Sequence, residues 1–233
     1  FFPDSNIGEL AVNGTVNDLA MCGAIPQYLS LSFIIEEGLK MNEFWKILIG
    51  IKSAADKTNV KIVTGDTKVV EKGKGDKIFI NTSGVGKVHE HAQISINNVK
   101  AGDKIIVSDT IATHGVAIMS VREGLEFETA VKSDTRGLNH VVSKLLDEFG
   151  KDIHLLKDPT RGGIATVLNE IARDRNHGVK ISQKQIPIQN EVNALCEILG
   201  LDPLYVANEG VFIAVVDSRI SEKFVKKLKS MDY

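Results

Sequence analysis

The stretch Lys61–Val70 holds an acid and a base two residues apart in a pattern that alternates like a strand. Period-two geometry puts Thr64, Asp66 and Lys68 on one face and Val63, Gly65, Thr67 and Val69 on the other. If the first face is enclosed, both charges need partners or a ligand, because removing an unpaired charge from water is expensive. The chemistry that fits is a carboxylate holding Mg2+ and an ammonium neutralising phosphate. A solvated sheet face with an ordinary Asp–Lys pair explains the same spacing. Asp18 carries the same two readings. It sits in a polar seam with Asn13, Gly14 and Asn17 beside a helical apolar face, where it is either solvated or a second carboxylate for a cation.

Two further places could carry chemistry. Asp158-Pro159-Thr160-Arg161-Gly162-Gly163 precedes an amphipathic helix containing Ile164, Val167, Leu168 and Ile171. Asp or Thr as N-cap with an early Pro explains part of it. The Arg and the paired glycines also suit an anion at a helix N-terminus. Glu209-Gly210 interrupts an apolar stretch between Leu204 and Val216, as a bulge with an exposed Glu or as a carboxylate in a cleft. Other patterns carry less. Gly84-Val85-Gly86-Lys87 lacks the spacing and the hydroxyl of a phosphate loop. His89-Glu90-His91 offers two imidazoles without a third ligand and reads as a solvated strand end. His114-Gly115 is a helix cap or a phosphate contact.

The elements that must position these residues alternate between helix and strand, which points to α/β or α+β. Ile7–Gly23 reads as a helix and Gln27–Glu36 as a strand with Leu29, Leu31, Phe33 and Ile35 on one face. A helix follows from Asn42, with Phe44, Leu48, Ile51 and Ala55 inward. Strands are expected at 61–71 and 77–87, joined by a charged Gly-rich turn, Lys72–Asp76, that suits a hairpin. These three strands should bury one face on helices and leave a mixed face for a partner. The polar stretch Asn97–Asp103 marks a boundary, giving domains 1–97 and 98–233. The second is expected to have helices near 113–123, 136–149, 162–175, 190–199 and 219–230, with strands near 153–157, 178–182 and 204–216.

Composition narrows the function classes. The 233 residues hold 28 basic and 30 acidic side chains, a net charge of -2, which argues against nucleic-acid and membrane-surface partners. No apolar run approaches the roughly 20 residues of a membrane span. Cys22 and Cys196 have no partner spacing. They suggest small buried hydrophobes in a reducing, cytoplasmic setting. The chain opens Phe1-Phe2-Pro3 without an initiator Met, as expected of a piece of a longer protein.

Several of these segments together resemble the hydrogenase expression/formation protein HypE family. They are Phe1-Phe2-Pro3, Asn6–Val12, Gly14-Thr15-Val16-Asn17-Asp18-Leu19-Ala20, Tyr28–Gly38, Val63-Thr64-Gly65-Asp66-Thr67-Lys68-Val69-Val70, Asp158–Gly163 and Asp202–Gly210. The resemblance implies a two-domain α+β fold of the aminoimidazole ribonucleotide synthase-like (PurM-like) type. Its N-terminal mixed sheet carries helices on one face and pairs in a homodimer, and ATP with Mg2+ binds against that sheet. It further implies dehydration of a carbamoyl group, held as a thiocarboxamide on a C-terminal cysteine, to a thiocyanate. The product supplies cyanide for NiFe-hydrogenase, with the carbamoyltransferase HypF and a HypC–HypD scaffold as partners. Carried onto this sequence, the resemblance makes Asp18 and Asp66 metal ligands and Lys68, Asp66 and Glu209 catalytic. Asn17, Asp18, Gly65, Asp66, Thr67, Lys68, Asp158, Arg161 and Gly162 become nucleotide-binding.

The sequence departs from the family in places. The Pro-Arg-Ile-Cys tail and the N-terminal Gly-rich nucleotide loop are not in it, and Ala112-Thr113 stands where the family carries Gly-Asp. The expectation is therefore that these residues alone do not complete the dehydration. Two other readings compete: another ATP-dependent member of the superfamily, of selenophosphate synthetase or aminoimidazole ribonucleotide synthase type, or a non-catalytic dimerisation and docking core.

Overall fold

The computed structural model describes residues 6–124 and 131–231, so the Phe1-Phe2-Pro3 segment lies outside the described residues. Helix α1 (Ile7–Met21) begins because the Asn6 side chain accepts from the Gly8 and Glu9 amides at 2.8 and 3.2 Å. Gly23, at φ 74°, turns the chain directly into β1 (Ala24–Glu36). Helix α2 (Met41–Thr58) then carries it to β2 (Lys61–Val70), and β3 (Ile78–Val88) completes a sheet of order β2-β1-β3.

The expected hairpin is not formed. β2 runs parallel and β3 antiparallel to β1, each on its own side of it. A parallel pair needs a crossover, and α2 provides it. The Gly-rich loop spans the end of β1 instead of closing a turn. The Glu36 carboxylate holds it there, accepting from the Gly73 amide and from the Lys77 amide at 2.9 Å.

Hydrogen bonding fixes which face is which. The Thr82 hydroxyl donates to the Ala11 carbonyl at 2.9 Å and lies 2.6 Å from the Thr15 hydroxyl, so Thr82 faces the helices. Its row-mates Leu31 and Gly65 face inward with it, and Leu29 and Phe33 pack on Val12, Val16, Ile47 and Ile51. The next row, Asp66–Ser32–Asn81, therefore faces outward. α1 lies over β1 and β3. β2, at the edge, stays exposed on both faces, contrary to the expectation that all three strands bury one.

The second half has β4 (Lys104–Val107), α3 (Thr113–Arg122), α4 (Asn139–Phe149), β5 (Ile153–Lys157), α5 (Gly163–Arg175), α6 (Asn190–Leu199), β6 (Ile213–Val216) and α7 (Ser221–Ser230). β6 is buried along its whole length between antiparallel β4 and β5, and its sequence is correspondingly all apolar. Two expected strands fail. Residues 178–182 lie in no strand, and the stretch from 204 becomes one only at Ile213. The cause in the second case is Asn208. Its side chain accepts from the Ala112 amide at 2.7 Å and donates to the Pro159 and Val206 carbonyls at 3.1 and 2.9 Å, holding a loop where a ladder would run.

The halves share packing. Ala20 and Met21 of α1 enter the core formed by Leu138, Val142, Leu145, Phe149 and Phe212. His89, read as part of a solvated strand end, is buried. Its Nε2 lies 3.1 Å from Asp147 on α4 and its Nδ1 accepts from the His91 amide. Cys196 is buried as expected, but Cys22 is exposed because α1 ends there and the residue turns away from the core. Among the described residues no helix is long and apolar enough to cross a membrane.

The tight backbone approach at Gly65 yields a test. A Cβ there would lie 1.9 Å from the Leu31 carbonyl oxygen, which as backbone cannot move aside. Gly65→Ala should therefore destabilise the chain by about 1–3 kcal/mol in a denaturant titration. A wild-type midpoint would show that the strands separate freely.

Candidate functional site

Adjacent residues of α1 do different work. Asn17, expected to bind nucleotide, is 1% exposed and its side chain is held by backbone of the other half. Its Nδ2 donates to the Arg136 and Glu209 carbonyls, both at 3.0 Å, and its Oδ1 accepts from the Leu138 amide at 2.8 Å. Both amide protons are thereby engaged, so Asn17 has no donor left for a nucleotide. Asp18 instead is exposed, within electrostatic reach of Arg161, Asp158 and Glu209, and the space these side chains face is the candidate cleft.

The segment before α5 contributes Asp158, Arg161 and the two glycines. Gly162 and Gly163 both have positive φ, 70° and 60°, which explains the pair by conformation. A Cβ on Gly163 would also meet the Leu204 carbonyl oxygen at 2.4 Å. The N-cap of α5 is Gly162, with no side-chain cap, so neither Asp158 nor the Thr fills that role. Asp158 is half-buried instead, close enough to Asp18 and Glu209 to interact with both charges.

Glu209 is the carboxylate of this group whose proton affinity is raised by a large amount. It lies in the loop before β6, not in a strand bulge. Burial, with the nearby Asp134, Asp158 and Asp18, pushes it up to about 7. Burial, opposed by bonds from backbone amides, also raises Asp134, and burial together with Asp18 raises Asp158. Partial burial raises Asp18, while the Arg161 guanidinium pulls it back down. Asp134 belongs to the site through the Glu209 amide, which donates to its two oxygens at 3.2 and 3.3 Å. Arg136 ties the same loop down, donating from Nε to the Gly210 carbonyl at 3.0 Å and pairing with Asp109 at 2.6 Å.

The remaining expected residues lie elsewhere. Asp66 and Lys68 stand on the outer face of β2, across the sheet from α1, while Gly65 and Thr67 face inward. Within one chain, Asp18 and Asp66 thus occupy opposite sides of the sheet. The Asp66 carboxylate accepts from the Thr67 amide at 2.8 Å. His114 does not cap its helix, whose N-cap is Ala112. Its Nδ1 lies 2.8 Å from the Ser133 hydroxyl, and burial lowers its pKa to about 4. Sequence reasoning missed Asp134, Arg136 and Asn208. Asn208 directly precedes Glu209, but Asp134 and Arg136 meet the loop only through folding.

The family models of the AIR synthase related protein match residues 1–88 with the N-terminal domain and 100–232 with the C-terminal domain. The carbamoyl dehydratase HypE of Bradyrhizobium diazoefficiens is 50% identical over 216 residues, 93% of this chain and 62% of that protein. The chain thus spans less than two thirds of that relative's length. A solved HypE–HypF complex superposes with a TM-score of 0.97 at 48% identity, covering 100% of this chain and 76% of the other. The hydrogenase maturation protein HypE in complex with ATP superposes with a TM-score of 0.95 at 46% identity, covering 99% and 68%.

The cleft carboxylates set a pH dependence. Folded, Glu209 keeps its proton up to about 7, whereas an ordinary glutamate loses it near 4.5. The native state therefore binds more protons, and the stability this provides is complete below about 4.5 and lost as pH rises through about 7. Thermal unfolding should show a loss on the order of 2–3 kcal/mol over that window, and Glu209→Gln should flatten most of it. An unchanged slope in the Gln variant would remove Glu209 as its source.

Proposed function

The chain belongs to the AIR synthase related family and, within it, to the HypE proteins, and we propose that it forms the nucleotide-binding core of an ATP-dependent carbamoyl dehydratase in NiFe-hydrogenase maturation. The observation that carries this reading is the convergence of Asp18 and Glu209, joined through the bond from Asn17 to the Glu209 carbonyl, with Asp158 beside them: Asp18 raises the proton affinity of Asp158, and both raise that of Glu209. Among the described residues no three acidic, His or Cys side chains are grouped closely enough to hold a cation by themselves, so a divalent ion would come with the phosphates of a nucleotide, which supply the remaining oxygens. Mg2+ with ATP fits on that ground, with Asp18 as a ligand and Arg161 near the phosphates. Bound MgATP supplies the phosphoryl group that turns an amide-type oxygen into a leaving group. The chain's own part is to position and to move protons. Glu209, holding its proton to near neutral pH, is matched to accept one from the carbamoyl nitrogen as the activated oxygen departs.

Asp66 and Lys68 are assigned to Mg2+ and phosphate charge from the outer face of the sheet. That role depends on a second copy, because the outer face is where we propose a twofold dimer forms. Tyr28, Ile34, Phe79 and Val85 stand exposed on it around the polar row Asp66–Ser32–Asn81. An apolar patch with a polar centre is self-complementary about a twofold axis. A HypF-type carbamoyltransferase is the proposed donor partner, in keeping with the solved HypE–HypF complex, and a HypC–HypD scaffold the proposed acceptor. We retain 97/98 as the domain boundary and the cytoplasm as the compartment.

Two measurements test the reading. Calorimetry on this chain should show saturable MgATP binding, weakened about tenfold or more by Asp18→Ala or Lys68→Ala, the ~1.4 kcal/mol of one charge contact. No heat at millimolar nucleotide would overturn it. In sedimentation at tens of micromolar the chain should be dimeric, and Phe79→Glu should make it monomeric. A wild-type monomer, or a dimer indifferent to Phe79→Glu, would remove the outer face as the interface.

A further inference from the structure

Both backbone groups of Glu209 are held by side chains. Its amide is held by Asp134 at 3.2 and 3.3 Å, within the second half of the chain. Its carbonyl is held by Asn17 at 3.0 Å, from α1 in the first half. With the peptide groups on either side of its Cα restrained, the side-chain torsions are the remaining freedom of this residue. We infer that Asn17 is a positioning residue of the cleft, a single buried amide that crosses between the two halves and fixes the backbone from which Glu209 projects.

The rest of the geometry supports this. The same Nδ2 reaches the Arg136 carbonyl at 3.0 Å, and Oδ1 takes the Leu138 amide at 2.8 Å. One side chain therefore grips two loops that lie far apart in sequence and that Arg136 and Asp134 also tie together. Aspartate in its place would keep the acceptor and lose both donors, while serine would keep one donor. Position 18, the next residue, presents its carboxylate to the same cleft. A rigid helix thus sets Asp18 and, through Asn17, Glu209 in one frame. Preorganisation of this kind is valuable because a small misplacement of a proton-transferring group is costly to rate.

The inference rests on the proposed cleft, so its test reads Glu209 without nucleotide. Carboxyl-carbon NMR of the whole chain follows Glu209 through pH, against Glu209→Gln for assignment. The charged groups facing it are Asp18 from α1, Asp134 from the 131–138 segment and Asp158 from the loop before α5, and all remain in every variant. In wild type the midpoint lies near 7. Asn17→Ser should move it about one pH unit towards the ordinary carboxylate value as the loop relaxes towards water, and Asn17→Ala further. The control is Asn139→Ala. Asn139 also bonds across the halves, donating to the Thr58 carbonyl at 2.9 Å, but does not touch residue 209. It should cost comparable stability and leave the midpoint in place.

Equal midpoints in wild type and Asn17→Ser, or equal shifts in Asn17→Ser and Asn139→Ala, would overturn the assignment. If neither Asn17 variant folds, the unmodified chain still decides. The Asn17 side-chain amide protons should exchange with solvent at least a hundredfold more slowly than those of exposed asparagines, and exchange at the exposed rate would overturn it. Failure of MgATP binding with these results intact would sink the function and leave the positioning role standing.

Discussion

The arrangement rests on α1 being built into both halves of the molecule. Its first turns pack on the N-terminal sheet, its last turn enters the second core through Ala20 and Met21, and Asn17 closes the polar seam between. A helix end buried in a foreign core leaves little room for sliding, because packed interiors do not deform smoothly. Further crossings reinforce it, with His89 bonded to Asp147 and Asn139 to the Thr58 carbonyl. The cleft wall is therefore made by elements whose relative positions are decided by core packing.

That constraint explains how four carboxylates can be held close together. Asp18, Asp134, Asp158 and Glu209 come from separate stretches of chain, and none would choose the others' company in a flexible polypeptide. Asp134 is secured by backbone amides of the Glu209 loop, and the loop in turn by Arg136. Folding energy gained in the cores holds the acids together against their mutual repulsion, a local electrostatic cost stored at the site.

The sequence was informative where periodicity and local chemistry agree. Inward residues of β1 and the helix α2 can be read from spacing, as can the apolar end of the 204–216 stretch that becomes β6. Asp18, Asp158 and Glu209 stand out as acids at places where a ligand and a plain structural role are both possible, and spacing does not choose between them. What spacing could not convey was pairing. Alternation in β2 and β3 is the same whether they join each other or flank β1, and the deciding contacts, Glu36 with the amides of Gly73 and Lys77, are tertiary. Alternation likewise split β2 into two faces without saying which one looks outward, so Asp18 and Asp66 could be imagined together. Asn17 shows a related limit. A polar residue beside an acid in a motif suggests a ligand, and only the fold shows that its partners are carbonyls.

The end of α1 has a practical consequence. Cys22 lies one helical turn beyond Asp18 and is exposed, while the other cysteine, Cys196, is buried, its thiol pushed up by burial and by Asp202. A maleimide dye should accordingly label the native chain at one place, close to the cleft and on the helix that spans both halves. The molecule thus comes with its own spectroscopic handle, one that could follow events at the mouth of the cleft by fluorescence without any engineered substitution.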